Sequence, residues 1–274
     1  MYKITTILTI LSLFSFSCKK EVKPVAINSN PITNTIKTRI NVPQGYTRDT
    51  PKDPWQNYLQ NLKLLPGKSE ILDYTGNPIA DQDSHVAIID LDVGTKDLQQ
   101  CADAIIRIRA EYLYKNKKYE DINFHFTSGD LYKWTDHAKG IRPVVNGNQV
   151  RFVKRKPEDN SYSNFKNYLN YVYMYAGTIS LNRYQKKVSR NNPLQIGDII
   201  IKAGSPGHAV LIVDKAKKSG KYIYLLAEGY TPAQSIHILD SKENNTSPWF
   251  TINSSGSVSS GRYYFFNPDI VRFQ

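Results

Sequence analysis

Apolar side chains recur at helical spacing in three stretches of the chain. The first stretch covers residues 55–65 and is closed by a Pro-Gly pair, which is typical of a helix end. The second starts after Asp97, the predicted N-cap, with Gln100 as its capping-box partner, and runs to about residue 113. The third covers residues 165–181. The pattern therefore predicts three main helices.

Other apolar runs have the length and the Val and Ile content of β-strands. A hairpin is indicated at Asn146-Gly147-Asn148, and Gly-containing turns separate short strands in the last third of the chain. These turns predict an antiparallel meander, and the whole pattern an α+β fold. The predicted strands are 84–92, 141–145, 149–153, 196–202, 208–214, 222–228, 234–239 and 261–266.

The first residues have the pattern of an export signal. Lys3 precedes the apolar run 4–16, and Ser17 places a small residue directly before Cys18. The run is shorter than the roughly 20 residues of a spanning helix. We therefore expect a lipoprotein signal peptide over residues 1–17, with cleavage before Cys18 and lipid on that cysteine. An ordinary signal peptide with an incidental cysteine is the alternative.

The predicted signal peptide determines where we expect the protein to be located and how we divide the chain into domains. Residues 18–40 are polar and carry too little apolar surface to pack, so they predict a lipidated tether. Residues 41–274 suit a single α+β domain. We expect this domain to lie in the cell envelope, on the periplasmic face or the outer membrane, with the membrane as its partner through the lipid anchor.

The formal charge of +12 results from 36 Lys and Arg against 24 Asp and Glu. Such an excess favours an anionic neighbour, for example phospholipid headgroups or a cell-wall polymer. The basic residues are scattered and no nucleic-acid motif occurs, so we expect no nucleic-acid partner. Charge kept for solubility alone is the competing explanation.

The number of cysteines gives a more specific indication of function than the charge does. The chain has only Cys18 and Cys101, so lipid on the first leaves the second without an intramolecular disulfide partner. Counted from Asp97, Cys101 is about the fourth helical residue, where free backbone N–H groups and the helix dipole favour the nucleophilic thiolate. The alternative is a small buried side chain on the apolar stripe of residues 98, 102 and 105.

A histidine opens one of the predicted strands. His208 follows Gly-Ser-Pro-Gly and precedes the run Ala-Val-Leu-Ile-Val. A strand start holds a side chain in a fixed place, and an imidazole pKa near neutrality suits a general base. A polar strand end that faces solvent is the other interpretation.

A helix-start cysteine, a Gly-Asp-Ile-Ile strand and a Gly-His-Ala-Val-Leu strand occur in this order. The combination resembles the NlpC-type and amidase-type papain-like peptidases of bacterial cell walls. That resemblance implies N-terminal helices packed on a small antiparallel sheet, with Cys101 as nucleophile and His208 as base. It implies Glu228 on the next strand as the third residue, with Gln234 in reserve. Gln100, or a nearby backbone N–H, would stabilise an oxyanion.

A second resemblance covers more of the chain. The segment from Gln100 to Tyr114, with Gly207-His-Ala and Pro232-Ala-Gln234, is similar to a family called domain of unknown function 4846. The likeness extends over nearly all of residues 41–274. The family name implies no activity.

Two functional hypotheses follow. The first is a thiol hydrolase of the cell envelope that cleaves an amide bond, with a peptidoglycan stem peptide as the expected substrate. The second is a non-catalytic envelope module that binds cell-wall or surface glycan, favoured by the positive charge and the 19 tyrosines. Neither requires a cofactor, and the histidines lack metal-site spacing, so we expect no metal.

Overall fold

The computed structural model describes residues 34–189, 191 and 193–274. The predicted signal peptide, Cys18 and most of the predicted tether lie outside the described residues. Ile36 and Ile40 are fully buried in the core, so the folded part begins earlier than the predicted boundary at residue 41.

The described residues contain short helices at the start and longer ones in the middle of the chain. They are α1 (Ile36–Arg39), α2 (Pro54–Gln60), α3 (Cys101–Lys115), α4 (Trp134–Ala138), α5 (Tyr162–Tyr175) and α6 (Thr178–Tyr184), with a 3-10 turn at Tyr119–Asp121. None of these described helices has both the length and the apolar character needed to cross a bilayer.

The strands are concentrated in the C-terminal half. They are β1 (Thr47–Arg48), β2 (His85–Ile88), β3 (Asn123–His125), β4 (Leu131–Lys133), β5 (Ile141–Asn146), β6 (Gln149–Lys154), β7 (Lys186–Lys187), β8 (Asp198–Lys202), β9 (His208–Lys218), β10 (Lys221–Glu228), β11 (His237–Leu239), β12 (Val258–Ser259), β13 (Tyr264–Phe265) and β14 (Asp269–Arg272).

One antiparallel sheet organises the protein. Its order is β2-β11-β10-β9-β8-β14-β7, and β1 pairs with the far end of β9, which gives eight strands. The predicted meander is confirmed, because β8, β9, β10 and β11 are consecutive neighbours. The sheet is larger than the small one expected, since strands from both ends of the chain extend the meander. The protein is a mixed α/β protein with a large antiparallel sheet.

Each face of the sheet has its own apolar cluster. Helix α3 covers the first face, where Ile105 packs in one cluster with Leu211 and Leu225. The second face carries Val210 and Leu226, and the C-terminal segment with Phe265 covers it. Because side chains alternate along a strand, His208 and Glu228 share the second face with Val210 and Leu226. The catalytic candidates on the strands thus project away from the body of α3.

Two helix predictions were wrong at their ends. Helix α2 starts where expected, since the Asp53 carboxylate accepts the Gln56 N–H at 2.8 Å, but it ends at Gln60. The following residues are extended, because the Leu65 N–H donates to the Ile88 carbonyl at 2.9 Å. The predicted helix over 165–181 is two helices, α5 and α6. The break falls at Ala176-Gly177, where the Tyr175 carbonyl accepts from the Thr127 N–H at 2.8 Å.

The hairpin prediction is confirmed. Strands β5 and β6 pair antiparallel, with Asn146 opposite Gln149 and Gly147 at a φ of 57° in the turn. A positive φ is the conformation in which glycine is favoured, so the turn follows from the local sequence.

Candidate functional site

Cys101 is the first residue of α3. The N-cap is Gln100, whose backbone N–H donates to the Asp103 carboxylate at 3.2 Å, so Asp97 does not cap the helix as predicted. Asp97 instead accepts the Ala233 N–H at 2.7 Å and the Gln100 side-chain amide at 3.1 Å. The cysteine is therefore closer to the helix terminus than its predicted fourth position.

The surroundings of the thiol oppose ionisation. Cys101 is half-buried, and burial raises the pKa of its thiol to about 11, with Asp103 as the next cause. Backbone N–H groups, including that of Ala209, act in the opposite direction but do not outweigh burial. The N–H groups at the helix start favour the thiolate, as expected, but burial outweighs them and the net shift of the pKa is upward. At neutral pH the resting side chain is a neutral thiol.

This pKa predicts how Cys101 reacts with a small alkylating agent. The alkylation rate of the folded chain should keep rising with pH up to about 11, because a small reagent that is not held in the proposed active site reacts with the thiolate. In denaturant the profile should shift down toward the ordinary cysteine pKa of about 8.5. Iodoacetamide trapping followed by mass spectrometry, from pH 6 upward, measures both curves. A folded-state rate that levels off below the denatured-state midpoint would show a preformed thiolate instead.

His208 is held at the start of β9 by close packing. A Cβ at the preceding Gly207 would lie 2.5 Å from the Gly204 carbonyl oxygen and 2.7 Å from the Thr178 hydroxyl, so only glycine fits there. The imidazole lies 5.0 Å from the Tyr230 ring and 5.5 Å from the Phe265 ring, between centroids. The side chain is buried and its orientation is fixed.

Glu228, the last residue of β10, is the hydrogen-bond partner of this histidine. His208 Nε2 lies 2.7 Å from Glu228 Oε2, and the carboxylate is fully buried. Burial alone would raise the pKa of Glu228, but the contacts with His208 and His237 outweigh burial and hold the pKa at about 2. A carboxylate only accepts, so Nε2 of the imidazole carries a proton and donates it to Glu228.

Two further residues complete the cluster, and the sequence analysis missed both. Arg262 Nη2 lies 3.0 Å from Glu228 Oε1 and 3.1 Å from His237 Nε2. His237 stands opposite Glu228 in the pairing of β10 with β11. Its Nδ1 lies 2.9 Å from the Ser235 carbonyl oxygen, to which it donates. His237 opens its strand as His208 does, and this shared position was the one signal available; Arg262 lies between β12 and β13 in no recognisable motif.

The structure distinguishes Glu228 from Gln234 as the partner of His208. In the amide orientation that satisfies both side chains, Gln234 accepts from Arg262 Nη1 at 3.1 Å, and it makes no hydrogen bond to His208. Gln100 is engaged with Asp97 through its Nε2. Its predicted role as an oxyanion donor stays a prediction, as does that of the backbone N–H groups at the start of α3.

The end of β10 packs closely against the start of α3. Gly229 allows this approach, because a Cβ there would lie 2.8 Å from Ala104 Cβ and 2.9 Å from the Gln100 carbonyl oxygen. The Tyr230 ring packs on His208, and burial raises the pKa of its hydroxyl. Within the described residues no hydrogen bond joins the Cys101 thiol to the His208 ring.

The described residues contain no group of three or more His, Cys, Asp and Glu side chains arranged to hold a metal ion. The fold and the site thus define a mixed α/β protein with a buried histidine–carboxylate–arginine cluster and a cysteine at the start of a helix. The chain belongs to the family described as Domain of unknown function (4846), whose family model matches residues 36–272. Comparisons with curated proteins and with solved structures find no match.

Proposed function

We propose that the protein is a thiol hydrolase that cleaves an amide bond, with Cys101 as nucleophile, His208 as general base and Glu228 as the residue that orients the imidazole. The observation that supports this most is the buried 2.7 Å contact between His208 Nε2 and Glu228 Oε2. A carboxylate that fixes one imidazole tautomer beside a nucleophile is the arrangement that recurs in nucleophilic hydrolases.

The raised thiol pKa determines the form of the first step. The neutral thiol transfers its proton to His208 Nδ1 while sulfur attacks the carbonyl carbon, so no thiolate accumulates beforehand. The tetrahedral intermediate collapses to a thioester as the imidazolium gives that proton to the departing amine nitrogen. Water, deprotonated by the same Nδ1, then attacks the thioester and releases the carboxylic acid and the free thiol.

The proposed reaction also requires stabilisation of an oxyanion, and the start of α3 is suited to this role. An oxyanion needs hydrogen-bond donors that point at its position, and the first backbone N–H groups of a helix have no partners within the helix. The N–H groups of Cys101 and Ala102 are the donors we assign to this role, and Gln100 is the nearest side-chain donor.

The papain-like arrangement and the expected substrate are part of the same proposal. We assign a papain-like arrangement because the cysteine starts a helix on an antiparallel sheet and the histidine opens a strand of that sheet. The expected substrate is a peptidoglycan stem peptide, in keeping with the proposed lipid anchor at Cys18 in the cell envelope. Both rest on the resemblance to cell-wall peptidases.

Covalent labelling tests the proposal. A chloroacetamide-bearing peptide should label Cys101 in the folded chain, and Cys101→Ala should abolish labelling. His208→Ala should slow labelling at pH 7 by about a hundredfold or more, since a positioned general base contributes at least that much. His125→Ala serves as the matched control, because His125 is half-buried and stacks on Tyr184 outside the cluster. Equal labelling rates in the His208 and His125 variants would refute the dyad.

A second candidate function is a non-catalytic module that binds cell-wall or surface glycan. The neutral, half-buried thiol favours it, since a structural cysteine has such a raised pKa. Co-sedimentation with purified cell wall separates the two functions. Binding that survives Cys101→Ala, with no soluble fragment released by the unmodified chain, supports the module; fragment release that requires Cys101 supports the hydrolase.

A further inference from the structure

A basic cleft lies at the other end of β9 from His208. Lys217 is nine residues along the strand from His208, which places it roughly 30 Å away at about 3.3 Å per residue. The cleft has a volume of about 790 Å³, within the range of small-molecule sites. It is therefore separate from the proposed active site.

Six cationic side chains from four parts of the chain line this cleft. They are Lys52, Lys186, Lys187, Lys215, Lys217 and Arg272. Concave sites lined by one sign of charge concentrate the potential and attract the opposite ion.

Three of the six cations have carboxylate partners. Arg272 binds Asp198 through Nε and Nη2, with the latter contact at 3.0 Å. Lys187 Nζ lies 3.3 Å from Asp269, and Lys215 Nζ lies 3.4 Å from Asp49. The other three, Lys52, Lys186 and Lys217, are exposed and have no ion-pair partner among the described residues.

Lys215 forms the floor of the cleft. It is only 6% exposed, and its Nζ lies 4.2 Å from the centroid of the Tyr222 ring. Burial lowers the pKa of Lys215, and the nearby positive charge of Lys52 acts in the same direction. Asp49 balances the charge of Lys215, so a bound anion would be attracted chiefly by the three unpaired lysines around it.

The identity of the cations indicates the chemistry of the anion. Lysine ammonium groups act as point charges and accept phosphate oxygens from many directions, whereas planar carboxylates are matched best by an arginine fork. The one arginine here has two of its nitrogens occupied by Asp198. A single phosphate carries about two negative charges at most, fewer than the three unpaired lysines provide.

We propose that this cleft is a second ligand site and that its ligand carries at least two phosphate groups. The same chemistry is offered by a soluble polyphosphorylated compound and by the clustered headgroups of an anionic lipid surface. In the first case a soluble polyphosphate binds to the cleft, whereas in the second case binding requires a lipid surface.

Calorimetry on the full-length chain with sodium tripolyphosphate tests the first source. The variant Lys52→Gln/Lys186→Gln/Lys217→Gln should bind the probe at least about tenfold more weakly than the unmodified chain. The control Lys63→Gln/Lys133→Gln/Lys154→Gln removes the same charge from exposed positions outside the cleft, and it should change the affinity less than about twofold.

Co-sedimentation with phosphatidylcholine vesicles, with and without phosphatidylglycerol, tests the second source. Cleft-dependent vesicle binding without tripolyphosphate binding identifies a lipid headgroup, and any lipid on Cys18 affects all three proteins equally. Two results overturn the proposal: equal weakening by the cleft and control triples, or no binding of the unmodified chain to either probe.

Discussion

Replacing Glu228 by glutamine should slow the proposed hydrolysis by as much as about 10⁴-fold, the loss seen when a triad carboxylate becomes an amide. Glutamine can donate to His208 Nε2 as well as accept from it. Donation to Nε2 moves the imidazole proton to Nδ1, and the histidine then has no lone pair for the Cys101 thiol. The rate at which soluble fragments leave purified peptidoglycan, followed by mass spectrometry, measures the effect.

The comparison needs a folded variant and a matched control. Circular dichroism selects a temperature at which Glu228→Gln is folded. Glu70→Gln makes the same chemical change at an exposed position and should keep the rate of the unmodified chain. If Glu228→Gln hydrolyses as fast as Glu70→Gln, Glu228 does not set the tautomer of His208.

The same substitution should destabilise the protein by about 3 kcal/mol at pH 7. The pKa of Glu228 lies at about 2 in the folded protein against 4.5 for an ordinary glutamate, and each pKa unit corresponds to about 1.4 kcal/mol. A lowered carboxylate pKa stabilises the fold above the ordinary value, and this contribution is lost as the pH falls toward 2. Glutamine resembles the protonated acid, so the difference between the two proteins should shrink in acid.

Urea unfolding of both proteins at a series of pH values tests this linkage. The gap in unfolding free energy should narrow from about 3 kcal/mol at pH 7 to about half of that at pH 3. Other carboxylates titrate alike in both proteins and cancel in the difference. A gap that stays constant between these pH values would mean that Glu228 does not titrate as an isolated low-pKa carboxylate.

Short sequence motifs predicted the parts of the fold that depend on residues close together in the chain. Asn146-Gly147-Asn148 specifies its hairpin because the turn itself requires glycine. The meander followed from apolar runs and turns, since consecutive strands pair with one another. His208 was predicted from its place at a strand start, and Glu228 was implied, ahead of Gln234, by the resemblance to cell-wall peptidases; the two side chains are in contact.

The wrong predictions concern features that are determined by contacts between residues far apart in the sequence. Asp97 has the chemistry of an N-cap, but its carboxylate binds the Ala233 backbone N–H, far along the chain, and Gln100 caps the helix instead. The thiol pKa depends on how deeply Cys101 is buried, which one helix does not reveal. Arg262 enters the cluster from a loop whose position only the complete fold determines.

The order of strands in the sheet also bears on the stage of folding at which the proposed active site forms. Strand β14, within the last six residues, lies between β7 and β8, and β8 is the direct neighbour of the strand that carries His208. Cys101 is made long before its base, its carboxylate and Arg262, and the sheet that holds them is completed only by the end of the chain. A nascent or unfolded polypeptide therefore carries an ordinary isolated thiol. The proposed active site would therefore form only when the sheet has folded.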